Sequence, residues 1–320
     1  MDALSDVLRV VRLTGGVFLD ARFTAPWSLS GRVEPMDFEP FLASPEEVIG
    51  FHYVVEGRLM AQVEGGPSVE LKQGEIVLLP RNATHVLASA LDLKPEPAKD
   101  IVVQPPGAGI FSVEYGGGGE ETHIVCGYLG SSGGGYNPLL AALPKMLTLN
   151  VADTPGGEWI AQSFAYAAQQ LAQPQAGAAT IIGKLSELMF VEAVCRYIDG
   201  LPPAEIGWLA GLRDPAIGRA LALMHTKPGE DWTADALASA VNMSRSAFAD
   251  RFSHLIGVPP MRYLTNWRMQ VAAARLRETR QTIAQIAYDV GYESEAAFTR
   301  AFRREMGQPP AAWRKQVVSA

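Results

Sequence analysis

Two stretches of 17 residues near the end of the chain decide its fold: SRSAFADRFSHLIGVPP at Ser244–Pro260 and SEAAFTRAFRREMGQPP at Ser294–Pro310. Seven of the 17 aligned positions are identical, including two phenylalanines four residues apart and a closing Pro-Pro pair. Apolar residues four apart lie on one face of a helix. The repeat therefore predicts two copies of one small helical unit.

Each copy is predicted to consist of a helix, a turn and a second helix, which is the helix-turn-helix unit. The predicted helices span about 233–241 and 245–255 in the first copy, and about 282–290 and 295–306 in the second. A residue able to cap a helix begins each of the four, namely Thr233, Ser244, Thr282 and Ser294. The second helix of such a unit has the size to enter the major groove of DNA. The alternative, two helical bundles without a DNA partner, is disfavoured by the presence of two copies.

The segment between the two units, at 260–279, is predicted to be one helix with an apolar stripe. About 20 residues of helix span about 30 Å. Successive major-groove segments on one face of DNA lie about 34 Å apart. We therefore expect one chain to place two recognition helices in adjacent grooves.

The net charge of −7 argues against DNA as a partner only while the 320-residue chain is taken as a whole. Residues 1–212 hold 12 Lys and Arg against 24 Asp and Glu, whereas residues 213–320 hold 15 against 10. The two parts thus carry −12 and +5, and the basic part contains the repeat. An anionic partner is expected to bind there.

The N-terminal half consists of short apolar runs separated by Gly and Pro. Seven runs have the length of strands: 17–22, 51–55, 59–63, 75–79, 85–88, 111–115 and 124–129. Closely spaced short strands are typical of a sandwich or barrel. Within them, GEIVLLPRNATH at Gly74–His85 resembles the second sequence motif of the cupins, with Asn82 in place of a glycine, and His52–Gly57 resembles the end of the first.

Three residues of this half form a candidate zinc set. The cupin resemblance implies that His52 and His85 fall on neighbouring strands, and Cys126 lies on a later strand; two imidazoles and a thiolate suit zinc. The alternative is that both histidines are hydrogen-bonded interior residues and Cys126 is a small buried hydrophobe. Four aromatic residues would either contact a small effector or be plain core: Trp27, Phe51, Tyr53 and Tyr128.

Residues 178–200 have the spacing of a helix, with apolar residues at steps of three and four from Ile181 to Ile198. This stripe predicts either packing against the barrel or a dimer seam. Both readings stay open, because one helix can use two faces. A further helix is predicted at 166–173.

The region 232–314 resembles the AraC/XylS family of bacterial transcription regulators. The resemblance rests on Ser244–Phe248, Gly257–Pro260, Tyr263-Leu264, Trp267-Arg268, Ile286-Ala287, Val290–Tyr292 and Gly307–Pro310. The N-terminal half is similar to the cupin-type sensor domain of one large subgroup of that family. The resemblance implies a sequence-specific DNA-binding regulator that responds to an effector.

The same resemblance implies which positions meet DNA, and these positions also lie off the Phe-lined face of each second helix. The base-reading candidates are Arg245, Ser246, Ala249, Asp250, Glu295, Ala296, Thr299 and Arg300. The phosphate candidates are Ser244, Arg251, Arg268, Ser294, Arg303 and Arg304. Arg300 is the strongest base-reading candidate, because a guanidinium matches guanine O6 and N7 in two bonds. Ala249 and Asp250 depart from a basic reading surface, so either the first unit does not read bases or Asp250 accepts from a cytosine amine.

The predicted fold is α+β with two domains. Residues 1–205 are expected to form a cupin-like sensor domain, with an antiparallel β-barrel at about 1–140 and a helical connector or dimerisation region at about 141–205. Residues 206–320 are expected to form an all-α domain of two helix-turn-helix units joined by a long helix.

The predicted function is a transcription regulator without enzymatic activity that binds promoter DNA under the control of an unidentified small ligand or metal. RNA polymerase is expected as a partner if the protein activates transcription, and a second copy of the chain if the connector pairs. A cupin-type metalloenzyme fused to a DNA-binding domain is disfavoured, because the His-x-His pair and glutamate of metal-binding cupins are missing. A DNA-repair methyl acceptor needs a Cys-rich zinc site, which Cys126 and Cys195 do not supply. Sparse cysteines, an acidic N-terminus and no apolar run of 18 residues predict a cytoplasmic protein without a membrane partner.

Overall fold

The computed structural model describes residues 2–11, 13–34, 45, 47–101, 111–131, 137–150, 158–159, 162–163, 166, 178–202 and 205–318. It divides into two compact units. The strand-rich unit comprises residues 13–131 and 143–194, and the helical unit comprises residues 1–12, 132–142 and 195–320. The predicted α+β class is confirmed. The sequence predicts a single boundary near residue 205, whereas the contacts group two N-terminal segments with the helical unit.

The strands are β1 (Leu13–Thr24), β2 (Ser28–Gly31), β3 (Glu47–Glu56), β4 (Arg58–Val63), β5 (Ser68–Lys72), β6 (Glu75–Leu79), β7 (His85–Ala88), β8 (Glu96–Pro97), β9 (Phe111–Gly116), β10 (Glu121–Ser131) and β11 (Leu147–Asn150). The helices are α1 (Ala3–Val11), α2 (Pro138–Ala142), α3 (Ala178–Gly200), α4 (Trp208–Arg213), α5 (Pro215–Thr226), α6 (Ala234–Ala240), α7 (Arg245–Ile256), α8 (Pro260–Glu278), α9 (Ile283–Asp289), α10 (Glu295–Met306) and α11 (Pro310–Val318). Within the described ranges, no helix is both long and apolar enough to cross a membrane.

The strands form two sheets, in the orders β11-β6-β3-β10-β1-β9 and β5-β4-β7-β2-β8. Their pairs are antiparallel except for β1–β9 and β2–β8, which are parallel. All seven predicted runs lie inside strands. Three of the four strands that the sequence pattern missed, β5, β8 and β11, lie at sheet edges and are short, so they carry little apolar signal.

The core of this unit combines apolar side chains from both sheets. Phe23, Val54 and Tyr128 come from the six-stranded sheet, and Leu59 and Leu87 come from the five-stranded one. Alternate residues of a strand point to opposite faces, which is why one apolar residue in two is enough to build such a core.

Asn82, which replaces a glycine of the cupin motif, takes the backbone conformation that the glycine would take. Its φ is 47°, in the left-handed region that Asn tolerates better than most residues. Its side chain accepts from the Val33 amide at 2.9 Å and donates to the Val33 carbonyl at 2.8 Å. The substitution therefore keeps the turn and adds two hydrogen bonds to the loop after β2.

Helix α3 buries one face against the strand-rich unit and leaves the other uncovered. Met189, Phe190 and Ala193 are fully buried, and a Cβ on Gly183 would lie 2.4 Å from the Gly15 carbonyl oxygen. The helix packs within the strand-rich unit as predicted, but not through the predicted stripe, because Ile181 and Leu188 of that stripe are exposed. The helix predicted at 166–173 lies outside the described residues except for Tyr166.

In the helical unit, a chain of hydrogen bonds ties four helices together around the buried His225. Trp208 Nε1 donates to the Tyr263 hydroxyl at 2.8 Å, which donates to His225 Nε2 at 2.8 Å. His225 Nδ1 donates to the Ala3 carbonyl at 3.2 Å, and its ring stacks on Trp267 at 3.9 Å between centroids. Burial lowers the pKa of His225 to about 4, so the imidazole stays neutral and serves as both donor and acceptor.

Candidate nucleic-acid interface

The second helix-turn-helix unit, formed by α9 and α10, presents one face of α10 to solvent. Phe298 and Phe302 are fully buried on the opposite face. Ser294 caps the helix by accepting from the Ala297 amide at 3.2 Å, which satisfies one of its free N–H groups. The four residues predicted for base reading lie on the exposed or partly exposed side: Glu295, Ala296, Thr299 and Arg300.

The first unit, formed by α6 and α7, repeats this arrangement with a different turn. Asn242, at φ 58°, takes the left-handed conformation that Gly291, at φ 82°, takes in the second unit. Ser244 caps α7 by accepting from the Ala247 amide at 3.3 Å. The predicted base-reading positions of α7 are also exposed or partly exposed: Arg245, Ser246, Ala249 and Asp250.

Two arginines of the first recognition helix are held by carboxylates of the protein itself. Arg245 Nη1 lies 3.2 Å from Asp235 Oδ2. Arg251 donates through Nε at 2.7 Å, and also through Nη2, to Asp214 Oδ2. Burial raises the pKa of the Asp214 carboxyl, but hydrogen bonds from the Ile217 amide and the Arg251 guanidinium outweigh it, so this pKa is lowered overall. Arg251 therefore ties α7 to the start of α5.

The second recognition helix differs, because two of its arginines have no partner in the protein. Within the part of the chain that the structure describes, Arg300 and Arg303 make no hydrogen bond or ion pair, and both side chains are exposed. Arg304 Nε donates to Glu305 at 2.8 Å, and Glu305 also receives both terminal nitrogens of Arg262 at 2.8 Å. The uncompensated positive charge of α10 thus lies on Arg300 and Arg303.

The three candidate zinc ligands of the strand-rich unit lie close together but form a chain of hydrogen bonds. His85 Nδ1 lies 3.0 Å from the Ala83 carbonyl oxygen and must donate to it, since a carbonyl only accepts. His85 Nε2 then accepts from His52 Nε2 at 2.8 Å, and His52 Nδ1 accepts from the Cys126 thiol at 2.8 Å. The chain fixes both tautomers and leaves all three side chains neutral.

This arrangement does not fit a zinc ion. The two nitrogens of His52 point to different neighbours, so the three candidate ligand atoms do not surround one point. Among the described residues, no group of three His, Cys, Asp or Glu could hold a metal ion. Burial lowers the pKa of His52 and of His85, and burial raises the pKa of the Cys126 thiol, which disfavours the thiolate that zinc requires. The geometry matches the alternative of hydrogen-bonded interior histidines.

Comparisons with known proteins identify both halves of the chain. A cupin family model matches residues 2–199, and a helix-turn-helix domain model matches residues 237–316. An AraC-like transcription regulator of Streptomyces lividans is 30% identical over 98% of each chain. The chain belongs to the AraC-like transcription regulators. Its N-terminal region is a cupin domain, and its C-terminal region is the AraC-type DNA-binding domain.

Two further proteins are similar in sequence to this AraC-like regulator. The HTH-type transcriptional regulator AlkR of Acinetobacter baylyi is 28% identical over 99% of this chain and 100% of its own. The DNA-binding domain of AdpA, solved in complex with a target DNA, is 29% identical and covers 33% of this chain and 95% of that one, with a TM-score of 0.31.

One predicted phosphate contact of the AraC-like regulator does not fit the geometry. Arg268 is half-buried, and its guanidinium donates to the carbonyls of Pro228 at 2.7 Å, Glu230 at 2.8 Å and Gly291 at 3.4 Å. A guanidinium occupied in this way is not directed at solvent, so Arg268 is not retained as a phosphate contact. No sequence pattern could indicate these bonds, because the three acceptors are backbone atoms.

The four aromatic residues considered for effector contact are core residues. Trp27, Phe51, Tyr53 and Tyr128 are each at most 5% exposed, and Trp27 stacks on Phe23 at 4.3 Å between centroids. Asp214 and Asp235 were not predicted as partners of the recognition-helix arginines. Asp214 had a local signal, since Asp followed by Pro is typical of a helix start. Asp235 had none, because its contact joins two helices.

Proposed function

We propose that this AraC-like regulator reads two successive major-groove segments with its two units, and that α10 supplies the base contacts that define the operator sequence. The observation that carries this proposal is the pair of exposed arginines on α10, which have no protein partner among the described residues. An arginine that is free of intramolecular bonds can form two hydrogen bonds with a guanine at little cost in lost contacts.

The test starts from the purified full-length protein and a pool of random duplex DNA. We expect repeated selection to enrich a motif of two parts separated by about one helical turn. Binding to the selected duplex should weaken steeply with salt, with a slope of log K against log[salt] near −5 if about six phosphates are neutralised. A selected pool without a shared two-part motif would contradict the proposal. So would a binding constant that does not change with salt.

Arg303→Ala is the matched variant for the second arginine of α10. We propose that Arg303 contacts phosphate, and its loss should lower the salt slope by about 1 without changing the selected sequence. A changed selected sequence would instead make Arg303 a base-reading residue. The same measurement on Arg251→Ala should change the slope less, because Arg251 is already held by Asp214.

We also propose that α3 pairs two copies of the regulator. Ile181 and Leu188 are 43% and 51% exposed and lie seven residues apart, on the face opposite the buried Phe190. Two large apolar side chains two turns apart are typical of a helix seam. Leu188→Glu should convert a dimer into a monomer in light scattering of the eluted protein, whereas the conservative Leu188→Met should not. A wild-type monomer at about 10 μM would contradict this proposal.

The cupin domain is proposed to provide the regulatory input through a small ligand. This domain is not expected to bind DNA itself, since the net charge of −12 on residues 1–212 would repel phosphate. A metal is not proposed here, because the nitrogens of His52 are already used. Added EDTA or zinc should therefore leave the DNA affinity of the full chain unchanged. A chelator-induced change of more than about tenfold, or 1.4 kcal/mol, would restore the metal hypothesis.

No catalytic step is required for this function. The regulator is proposed to work in the cytoplasm, where its promoter DNA lies, and to contact RNA polymerase if it activates transcription. A reporter gene fused to the selected operator would show activation or repression directly.

A further inference from the structure

The two helix-turn-helix units are joined by α8 and also touch each other directly. The loop that precedes the first unit contains Pro228, Gly229 and Glu230, and the turn of the second unit contains Gly291. A Cβ on Gly229 would lie 2.6 Å from the Asp289 carbonyl oxygen. The backbones of the two units are therefore in direct contact, with no room for a side chain between them.

One side chain bonds to both sides of this contact. Arg268, on α8, donates to the carbonyls of Pro228 and Glu230 in the loop of the first unit. It also donates to the carbonyl of Gly291 in the turn of the second unit. A Cβ on Gly291 would lie 2.7 Å from Arg268 Nη2, so a side chain at this position would displace the guanidinium.

We call the contact of Pro228–Glu230 with Gly291, bridged by Arg268, the joint. The positions of its acceptors suit the donor geometry of arginine. Its acceptors are three carbonyl oxygens in different directions, and the planar guanidinium presents five N–H donors in a fixed fork. Burial lowers the pKa of Arg268, while the neighbouring Tyr292 and Asp231 act in the opposite direction. A lysine would keep the charge but bring its donors together at a single nitrogen.

We infer that Arg268 is a positioning residue that fixes the orientation of one recognition helix relative to the other, and thereby the half-site spacing that the regulator accepts. This inference rests on the proposed function that both units read DNA. The 19 residues of α8 span about 28 Å, and a rotation of about 10° over about 30 Å displaces the far helix by about 5 Å. That exceeds the rise of about 3.4 Å per base pair, so a loosened joint would reach neighbouring spacings.

The control for this role lies on the same helix. Arg262 forms a bidentate ion pair with Glu305 at 2.8 Å, which joins α8 to α10 only and makes no bond to the loop before the first unit. Arg262→Met removes another arginine that bonds α8 to the second unit, without touching the contact made by Arg268. Any effect on spacing that is specific to Arg268 must therefore come from the joint.

The experiment uses full-length wild type, Arg268→Met, Arg268→Lys and Arg262→Met. Anisotropy at one salt concentration measures binding to the selected operator, to versions with one or two base pairs added or removed between half-sites, and to versions with one half-site scrambled. Wild type and Arg262→Met should lose about tenfold or more per base pair of altered spacing. Arg268→Met should bind the best spacing about tenfold more weakly, lose less than about threefold per base pair, and keep wild-type affinity for a single half-site.

Arg268→Lys should give an intermediate profile, and it decides the question if Arg268→Met does not fold. An Arg268 variant that is folded and keeps the sharp spacing profile of wild type would overturn the inference. Equal weakening on intact and scrambled duplexes would also overturn it, in favour of a direct phosphate contact. If wild type itself binds one half-site as well as two, the proposed two-unit function fails, which is a result distinct from the failure of Arg268 alone.

Discussion

The two helix-turn-helix units share one fold and differ in how their arginines are used. In the first, Arg245 is paired with Asp235 and Arg251 with Asp214. In the second, Arg300 and Arg303 are exposed and have no partner among the described residues. The residues common to both units are those that build the fold, while the residues that face outward have diverged.

The physical reason for this difference is the cost of change at each kind of position. A buried phenylalanine such as Phe248 or Phe298 is surrounded by side chains, and its loss typically costs about 3–5 kcal/mol. An exposed residue makes few contacts and changes freely. The repeat therefore preserves the shape of the unit and leaves its outward positions free to differ between the two copies.

The largest expected difference between the two helix-turn-helix units is the loss of stability as the pH falls. The folded pKa of His225 is about 4, below the unfolded value of about 6.5. The unfolded chain therefore takes up the proton first, and stability that is complete above pH 6.5 is lost as the pH falls, by about 3 kcal/mol at pH 4. Urea unfolding between pH 7 and pH 4 measures this loss, and His225→Gln should flatten it.

The first helix-turn-helix unit is expected to lose stability before the second as the pH falls. Tyr263, which bonds to His225, packs edge-on against Phe252 of α7, and residues 261–320 contain no histidine. Hydrogen exchange at pH 5 should therefore show α7 losing protection before α10. Simultaneous loss in both helices would mean that the two units unfold together.

The next largest difference concerns DNA affinity. Arg300→Ala should weaken binding to the selected operator by about 1–3 kcal/mol, as expected for the loss of a bidentate base contact. Arg245→Ala should cost less than about 0.5 kcal/mol, because its guanidinium is already shared with Asp235. Equal losses of DNA affinity for the two folded variants, measured by anisotropy, would contradict the proposal that α10 supplies the main base contacts.

A smaller difference is expected in helix capping. Thr282 forms a complete capping box with Gln285, whose side chain accepts from the Thr282 amide at 2.9 Å, while Thr233 only accepts from the Ala236 amide. Thr282→Ala should therefore lower the free energy of unfolding by about 1 kcal/mol and Thr233→Ala by somewhat less. Paired urea titrations provide the comparison, and the reverse order would contradict it.

The smallest expected effect tests the first unit directly. Asp235→Asn removes the carboxylate that holds Arg245 and should raise DNA affinity by about twofold at low salt, since an exposed ion pair is worth about 0.2–1 kcal/mol. Asp289→Asn, which releases Arg275 of α8 and no arginine of a recognition helix, serves as the control. No gain for Asp235→Asn would mean that Arg245 does not reach DNA even when free.

Much of the fold could be predicted from local pattern. The capping residues Ser244 and Ser294 and the buried phenylalanines located both recognition helices to within a residue, because helix starts and apolar spacing are local properties. Helix α5 was missed although Asp214-Pro215 signals its start. Helix α1 belongs with the helical unit through the Ala3–His225 hydrogen bond, a contact between residues 222 positions apart that no local pattern reveals.

The candidate site was predicted less completely than the fold. The outward positions of α7 and α10 follow from helical periodicity alone, and all eight predicted base-reading residues lie on exposed or partly exposed surface. Whether an arginine there is free depends on its neighbours in space. His52, His85 and Cys126 illustrate the same limit, since their proximity was anticipated but not the direction in which each ring nitrogen points.

The sequence by itself determined the two helix-turn-helix units, the strand-rich half and the separation of charge between them. Periodicity and capping depend on residues close together in the chain, and net charge depends on composition alone. Only the tertiary structure decided which arginines are held and which are free. It also decided that Arg268 binds three carbonyls instead of facing DNA, and that two histidines and a thiol form a neutral chain. These outcomes depend on distances and bond directions between residues far apart in the chain, which are set when the chain packs.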